Sequence, residues 1–202
     1  MKLYVTAASP FARIVRIVVK EKGLRDRVQI LTARTRSRCS PYYEINPSGR
    51  VPYLVRDDGV GMEHSDLIAT YLDHIDGKPT LYLPPWHDNW EYGRLEASAR
   101  SLLDGLVMLV REMRRPENER SPGIIEHEQE RSLRLSDNWD TQICHPLMQG
   151  RLNMAQIVLI SAVLLREHFP PIDLLAGRPR LAAWAERLMR YAPVNETRSG
   201  AL

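Results

Sequence analysis

The residues best placed for chemistry fall in three short stretches of the first third of the chain. Ser9 precedes Pro10, the arrangement of a helix N-cap followed by proline at the first helical position. Its hydroxyl stands beside a helix N-terminus, whose dipole favours an anion, so Ser9 reads either as a cap or as a donor to a bound anion. Thr6 is a second hydroxyl in the same loop. Ser65 follows Glu63 and His64 at the start of another helical pattern. Its hydroxyl and the free N–H groups of that first turn can hold a carboxylate, and here too the plainer reading is a cap. Between these two stretches, Arg50-Val51-Pro52 sets a cation and a proline directly before a strand.

Other chemistries find less support. Cys39 lies in Cys-Ser-Pro-Tyr, which mimics a redox motif, but it sits in a loop after the second strand and reads as incidental. Two cysteines without CxxC spacing give neither a disulfide framework nor a structural zinc site. The six histidines show no metal-ligand spacing, so no metal is expected. A net charge of +3, dispersed and interleaved with acids, falls short of a nucleic-acid signature. The longest apolar stretch, 157–165, is far below the ~20 residues that span a bilayer and predicts a buried helix, with no membrane partner. The opening Met1-Lys2-Leu3-Tyr4-Val5 turns polar before any secretory pattern develops, which reads as a cytoplasmic protein.

The elements that must position these residues follow from periodicity. Lys2 to Thr6 predicts a strand, and Pro10 to Gly23 a helix, because Phe11, Ile14, Val15 and Val18 fall at i, i+3, i+4 and i+7. Val28 to Thr32 predicts a second strand, parallel to the first because a helix intervenes. Pro52 to Val55, the turn Asp57-Asp58-Gly59, and Val60 to Met62 predict a hairpin; Leu67, Ile68, Tyr71, Leu72 and Ile75 mark a helix ending at Gly77. The proline-rich 78–85 is the best boundary, separating 1–77 from 86–202. Beyond it every periodic stretch is helical: Trp86 to Arg115, Ser121 to Ile143, Asn153 to His168 and Pro179 to Tyr191. Asn153 with Gln156 reads as a capping box, and the charge-dense Arg114 to Arg134 as a solvated face or loop.

A β-α-β-hairpin-α unit followed by an all-helical half resembles the glutathione transferase superfamily, in its serine-type, Ser-Pro-Phe branch of soluble bacterial proteins. Four stretches carry the resemblance: Ser-Pro-Phe-Ala-Arg at 9–13, Asn-Pro-Ser-Gly-Arg-Val-Pro at 46–52, His64-Ser65 before Tyr71-Leu72, and Asn153-Met154-Ala155-Gln156. The resemblance implies a thioredoxin-like N-terminal domain (βαβ-ββα) that binds glutathione over 1–77, a linker at 78–85, and an all-α domain over 86–202 that receives a small hydrophobic electrophile.

The resemblance also implies roles. Ser9 donates to the glutathione thiolate, with Thr6 as the backup hydroxyl. Pro52 is cis, and the Val51 backbone pairs with the cysteinyl group. Arg50 meets the glycine carboxylate, and Ser65 the γ-glutamyl carboxylate. Relatives carry Glu or Asp before that serine to meet the γ-glutamyl ammonium, whereas His64 stands here, so Glu63 or Asp66 substitutes or glutathione binds weakly. Met108 and Arg111, one turn apart, line the second-substrate pocket in the same reading, against the plainer reading of core methionine and surface arginine. The function so implied is that of a glutathione transferase acting in detoxification, a homodimer with glutathione as co-substrate and no metal. Two alternatives stay open: a glutathione transferase-like protein that binds or regulates without catalysis, and a glutathione-dependent peroxidase.

Overall fold

The computed structural model describes residues 1–82, 89–167 and 173–198. The chain divides by its contacts into two units, Met1–Tyr82 with Ala192–Leu202, and Leu83–Tyr191. The start of the helix expected from Trp86, the linker residues 83–85, and His168 lie outside the described residues.

The first unit opens β1 (Lys2–Val5), α1 (Pro10–Glu21), β2 (Gln29–Thr32), α2 (Tyr42–Ile45), β3 (Tyr53–Val55), β4 (Gly61–Glu63) and α3 (Ser65–His74). The strands form one sheet in the order β2-β1-β3-β4. β1 and β2 are parallel, because a helix joins them, while β1–β3 and β3–β4 are antiparallel. Leu3 and Leu54, opposite each other in register, are fully buried, and so are Val5, Ile14, Val18, Ile68 and Leu72. Each such side chain contributes roughly 1.5–3 kcal/mol of transfer free energy. The carboxylate of Asp73, itself buried at the far end of α3, accepts the N–H groups of Thr80, Leu81 and Tyr82 at 3.0–3.1 Å and sits 3.4 Å from Lys22 Nζ. This fixes the strand-less segment that follows α3.

The second unit is helical: α4 (Trp90–Met113), α5 (Pro122–Gln142), α6 (Pro146–Gln149), α7 (Met154–Val163) and α8 (Pro179–Arg190). Every residue of α7 is buried, as expected for a helix apolar on all sides, and α4 and α8 pack on it. Asn153 caps α7, its Oδ1 accepting the Gln156 N–H at 3.2 Å. The expected reciprocal half of the box is missing: the Gln156 amide donates instead to the carbonyls of Leu147, Gly150 and Arg151. Asp140 of α5 caps α8 from outside, accepting the N–H groups of Arg180 and Leu181 at 2.9 Å. The charge-dense segment is mostly the first turns of α5, and it is not wholly solvated. Glu128 is buried, and its carboxylate lies so near Gly105 of α4 that a Cβ there would meet Oε2 at 2.6 Å.

After α8 the chain returns to the first unit as α9 (Ala192–Asn195), where the sequence reading ran the second region on to residue 202. Arg13 and Arg16 of α1, both 2% exposed, aim Nε and Nη1 at the Thr197 carbonyl at 3.3 and 3.5 Å. Lys20 holds Glu196 at 3.0 Å, and Arg25 binds the same carboxylate oxygen. The Lys20 hydrogen bond, helped by the charges of Lys20 and Arg25, lowers the Glu196 carboxyl below the usual carboxylate range.

Candidate functional site

Register across the sheet gathers the three stretches. Tyr4, next to the end of β1, stands opposite Tyr53, the first residue of β3, and Tyr53 stands opposite Glu63, the last of β4. The loops leaving β1, entering β3 and leaving β4 therefore meet at one end of the sheet. They carry Thr6 and Ser9; Arg50, Val51 and Pro52; and His64 with Ser65.

Ser9 is the N-cap of α1, with φ −80° and ψ 117°. Its Oγ accepts the Ala12 N–H at 3.2 Å, and its own N–H donates to the Thr6 carbonyl at 3.2 Å. A serine hydroxyl has one donor and two lone pairs. The cap uses a lone pair, and among the described residues no acceptor takes the proton. The two readings of Ser9 are thus compatible in one rotamer class: cap by the oxygen, donor by the hydrogen.

The stretch 46–52 is held by a polar network that sequence reasoning missed. Asn46, 2% exposed, accepts the Ser48 N–H through Oδ1 at 3.1 Å and donates through Nδ2 to the Arg50 carbonyl at 3.0 Å. The Tyr42 hydroxyl donates to the same carbonyl at 2.6 Å. Burial raises the Tyr42 pKa above the usual phenol value, which keeps it a donor. Ser48 Oγ accepts the Arg50 N–H at 3.2 Å and donates to Glu63 Oε2 at 2.6 Å, tying the loop to the end of β4. Gly49 at φ +64° makes the turn, and a Cβ there would stand 2.6 Å from the Tyr43 ring. The signal was in the sequence: Asn-Pro-Ser-Gly is dense in residues that bond their own backbone in turns. Pro52 follows a cis peptide bond from Val51. Neither the N–H nor the carbonyl of Val51 meets a hydrogen-bond partner among the described residues. The Arg50 side chain is exposed.

At the third stretch the structure corrects the simpler expectation for Ser65. The N-cap of α3 is His64, at φ +77° and ψ 122°, and it makes no side-chain cap; Ser65 is the first helical residue. Ser65 is 4% exposed, yet its hydroxyl has no hydrogen-bond partner among the described residues. The His64 imidazole is 74% exposed, with Nδ1 3.7 Å from Asp66 Oδ2. One end of α3 thus presents first-turn N–H groups that no side chain caps and the unpartnered hydroxyl of the otherwise buried Ser65, a ready seat for a carboxylate.

Met108 and Arg111 lie on α4 in the second unit, both exposed, Met108 by 51%. The plain core reading of Met108 therefore fails. Cys39, at φ 56°, and Cys144 are free and exposed. Among the described residues no cluster of three or more His, Cys, Asp or Glu could hold a metal ion, and no helix is long and apolar enough to cross a membrane.

A four-stranded thioredoxin-like sheet with its flanking helices, joined to an all-helical unit, and with the candidate site at one end of the sheet, defines a recognised class of two-part fold. Residues 8–75 match the family model described as "Glutathione S-transferase, N-terminal domain". Glutathione S-transferase L3 of Arabidopsis thaliana is 28% identical over 93% of this chain and 77% of its own length. The GST-like protein YibF of Escherichia coli K12 is 26% identical over 81% and 80%. A glutathione S-transferase from Methylobacillus flagellatus, solved with glutathione bound, superposes with a TM-score of 0.87 at 26% identity, covering 98% of each chain. The family match, the curated relatives and the solved neighbours together support the glutathione S-transferase superfamily for this chain.

Proposed function

We propose that this protein is a glutathione transferase that activates the glutathione thiol with Ser9 and delivers it to a small hydrophobic electrophile. The observation that carries the reading is the Ser9 hydroxyl: its oxygen is engaged by Ala12, its proton is left for a ligand, and it sits at the positive end of α1. A thiol of pKa near 8.5 is only a few per cent thiolate at neutral pH. A charge-assisted hydrogen bond of roughly 1.5–3 kcal/mol, at 1.36 kcal/mol per unit, lowers that pKa by about one to two units.

The other residues take roles by their donors and acceptors. The unpaired N–H and carbonyl of Val51 suit an extended peptide lying antiparallel, as the cysteinyl residue of glutathione would. Arg50 takes the glycine carboxylate; Ser65 and the first turn of α3 take the γ-glutamyl carboxylate. Glu63, His64 and Asp66 are the groups left to meet the γ-glutamyl ammonium. The thiol proton leaves to solvent, the thiolate sulfur forms the new S–C bond, and the electrophile either expels its leaving group with the bonding pair or takes up a proton after addition. The helical unit supplies the apolar surface for the electrophile, with Met108 and Arg111 on it, and the protein works as a cytoplasmic homodimer in detoxification.

A second reading, a glutathione-binding protein without turnover, draws on one observation: an exposed imidazole occupies the position where relatives place a carboxylate. Retention on immobilised glutathione, followed by conjugation with an aryl halide, separates the two. Retention with turnover supports the transferase; retention without turnover against a panel of electrophiles and hydroperoxides supports the binding protein; and no retention removes both.

A further inference from the structure

The exposed His64 imidazole stands at the lip of a seat suited to a carboxylate: the uncapped first turn of α3 and the unpartnered hydroxyl of the otherwise buried Ser65. The positive φ of His64 belongs to the same lip. Asp66 on α3 lies 3.7 Å from the imidazole; Glu63 ends β4; Arg50 is in the loop before β3, joined to Glu63 through Ser48. With a neutral imidazole, His64 adds no positive charge beside the carboxylates of Glu63 and Asp66. A proton on His64 puts a positive charge beside them.

A carboxylate that carries a neighbouring ammonium and one that does not respond oppositely to this change. Carboxylates beside a neutral imidazole attract the ammonium of an α-amino acid group. The imidazolium repels that ammonium and reinforces the carboxylate's hold on the helix N-terminus. We propose that His64 is a specificity-determining residue that makes the site's preference for the γ-glutamyl ammonium depend on pH: glutathione is favoured when the imidazole is neutral, and an analogue lacking the γ-glutamyl amino group gains on it as the imidazole is protonated. The proposal rests on the glutathione reading given above and adds the selectivity of the γ-glutamyl subsite.

The test uses S-methylglutathione and its deaminated counterpart, so that the titration of the thiol does not enter. Dissociation constants are measured by calorimetry on the full chain between about pH 5.5 and 7.5, the span over which imidazoles change charge while carboxylates and ammonium groups do not. A unit charge at about 5 Å in a near-aqueous setting changes affinity by roughly three- to tenfold, less in high salt. The ratio of the constant for S-methylglutathione to that for the deaminated analogue is expected to rise by that factor from pH 7.5 to 5.5. In His64→Gln, which keeps a polar side chain without a titrating charge, it is expected to stay flat. A ratio that does not move with pH in the native protein, or that moves equally in His64→Gln, overturns the proposal while leaving glutathione binding intact. Failure of both ligands to bind at any pH overturns the glutathione reading and this proposal together.

Discussion

Substitution of Ser9 separates two roles that share one hydroxyl. Ser9→Ala removes the cap on Ala12, worth about 1 kcal/mol of stability, and the proposed donor to the thiolate, worth roughly 1.5–3 kcal/mol. Ser9→Asp is the control, because aspartate caps as well as serine but, ionised, has no proton to give. In complexes with glutathione the thiol pKa, read from thiolate absorbance in the ultraviolet, is expected to rise by about one to two units in Ser9→Ala and by more in Ser9→Asp, whose carboxylate also repels the thiolate. Below neutral pH the conjugation rate at saturating glutathione is then expected to fall roughly ten- to a hundredfold in Ser9→Ala and further in Ser9→Asp. The urea midpoint drops in Ser9→Ala alone. A thiol pKa in Ser9→Ala equal to that of the native complex would refute the reasoning: Ser9 would be a cap and nothing more, and Thr6 the next hydroxyl to test.

Three further outcomes follow from the geometry. Asp73→Ala takes the acceptor from three backbone N–H groups and one of the two carboxylates beside Lys22, which keeps Asp76 and the Lys78 carbonyl, so urea unfolding is expected to show a loss of about 3 kcal/mol; a loss below about 1 kcal/mol would mean the segment after α3 finds other acceptors. Gly49→Ala forces a side chain into positive φ and against Tyr43, and is expected to cost about 1–2 kcal/mol in urea and to weaken retention on immobilised glutathione; retention equal to native would free the loop of that role. Because the folded pKa of Glu196 is lowered, its stabilising contribution is present above the unfolded carboxylate range and disappears as pH falls through the folded value. The stability gap between native protein and Glu196→Gln is therefore expected at pH 7 and to close in acid; a constant gap would refute the linkage.

The sheet, its two long helices and the second unit's longer helices were legible because each carries its period over enough residues. The four-residue α2, α6 and α9 were not, since one turn cannot display a 3.6-residue period. The missing half of the Asn153–Gln156 box has the same origin: the carbonyls that take the Gln156 amide come from α6 and the turn after it. At the site, residue types in sequence pointed to Ser9, Arg50 and Ser65. They could not reveal that Ser65 leaves its cap position to His64, because nothing in a histidine's chemistry announces φ +77°. The burial of Arg13 and Arg16 on α1 could not be read locally, since the carbonyl they meet lies almost two hundred positions away.

That return has a consequence for how the protein is made. On a ribosome the first unit emerges early, but α9 and the Thr197 carbonyl that its buried arginines grip arrive only after the whole second unit has been translated. At about 5–20 residues per second, on the order of a hundred residues take roughly 5–20 s. Through that interval the nascent sheet waits with two guanidinium groups lacking the carbonyl on which both converge, so the oldest part of the molecule is the last to be completed.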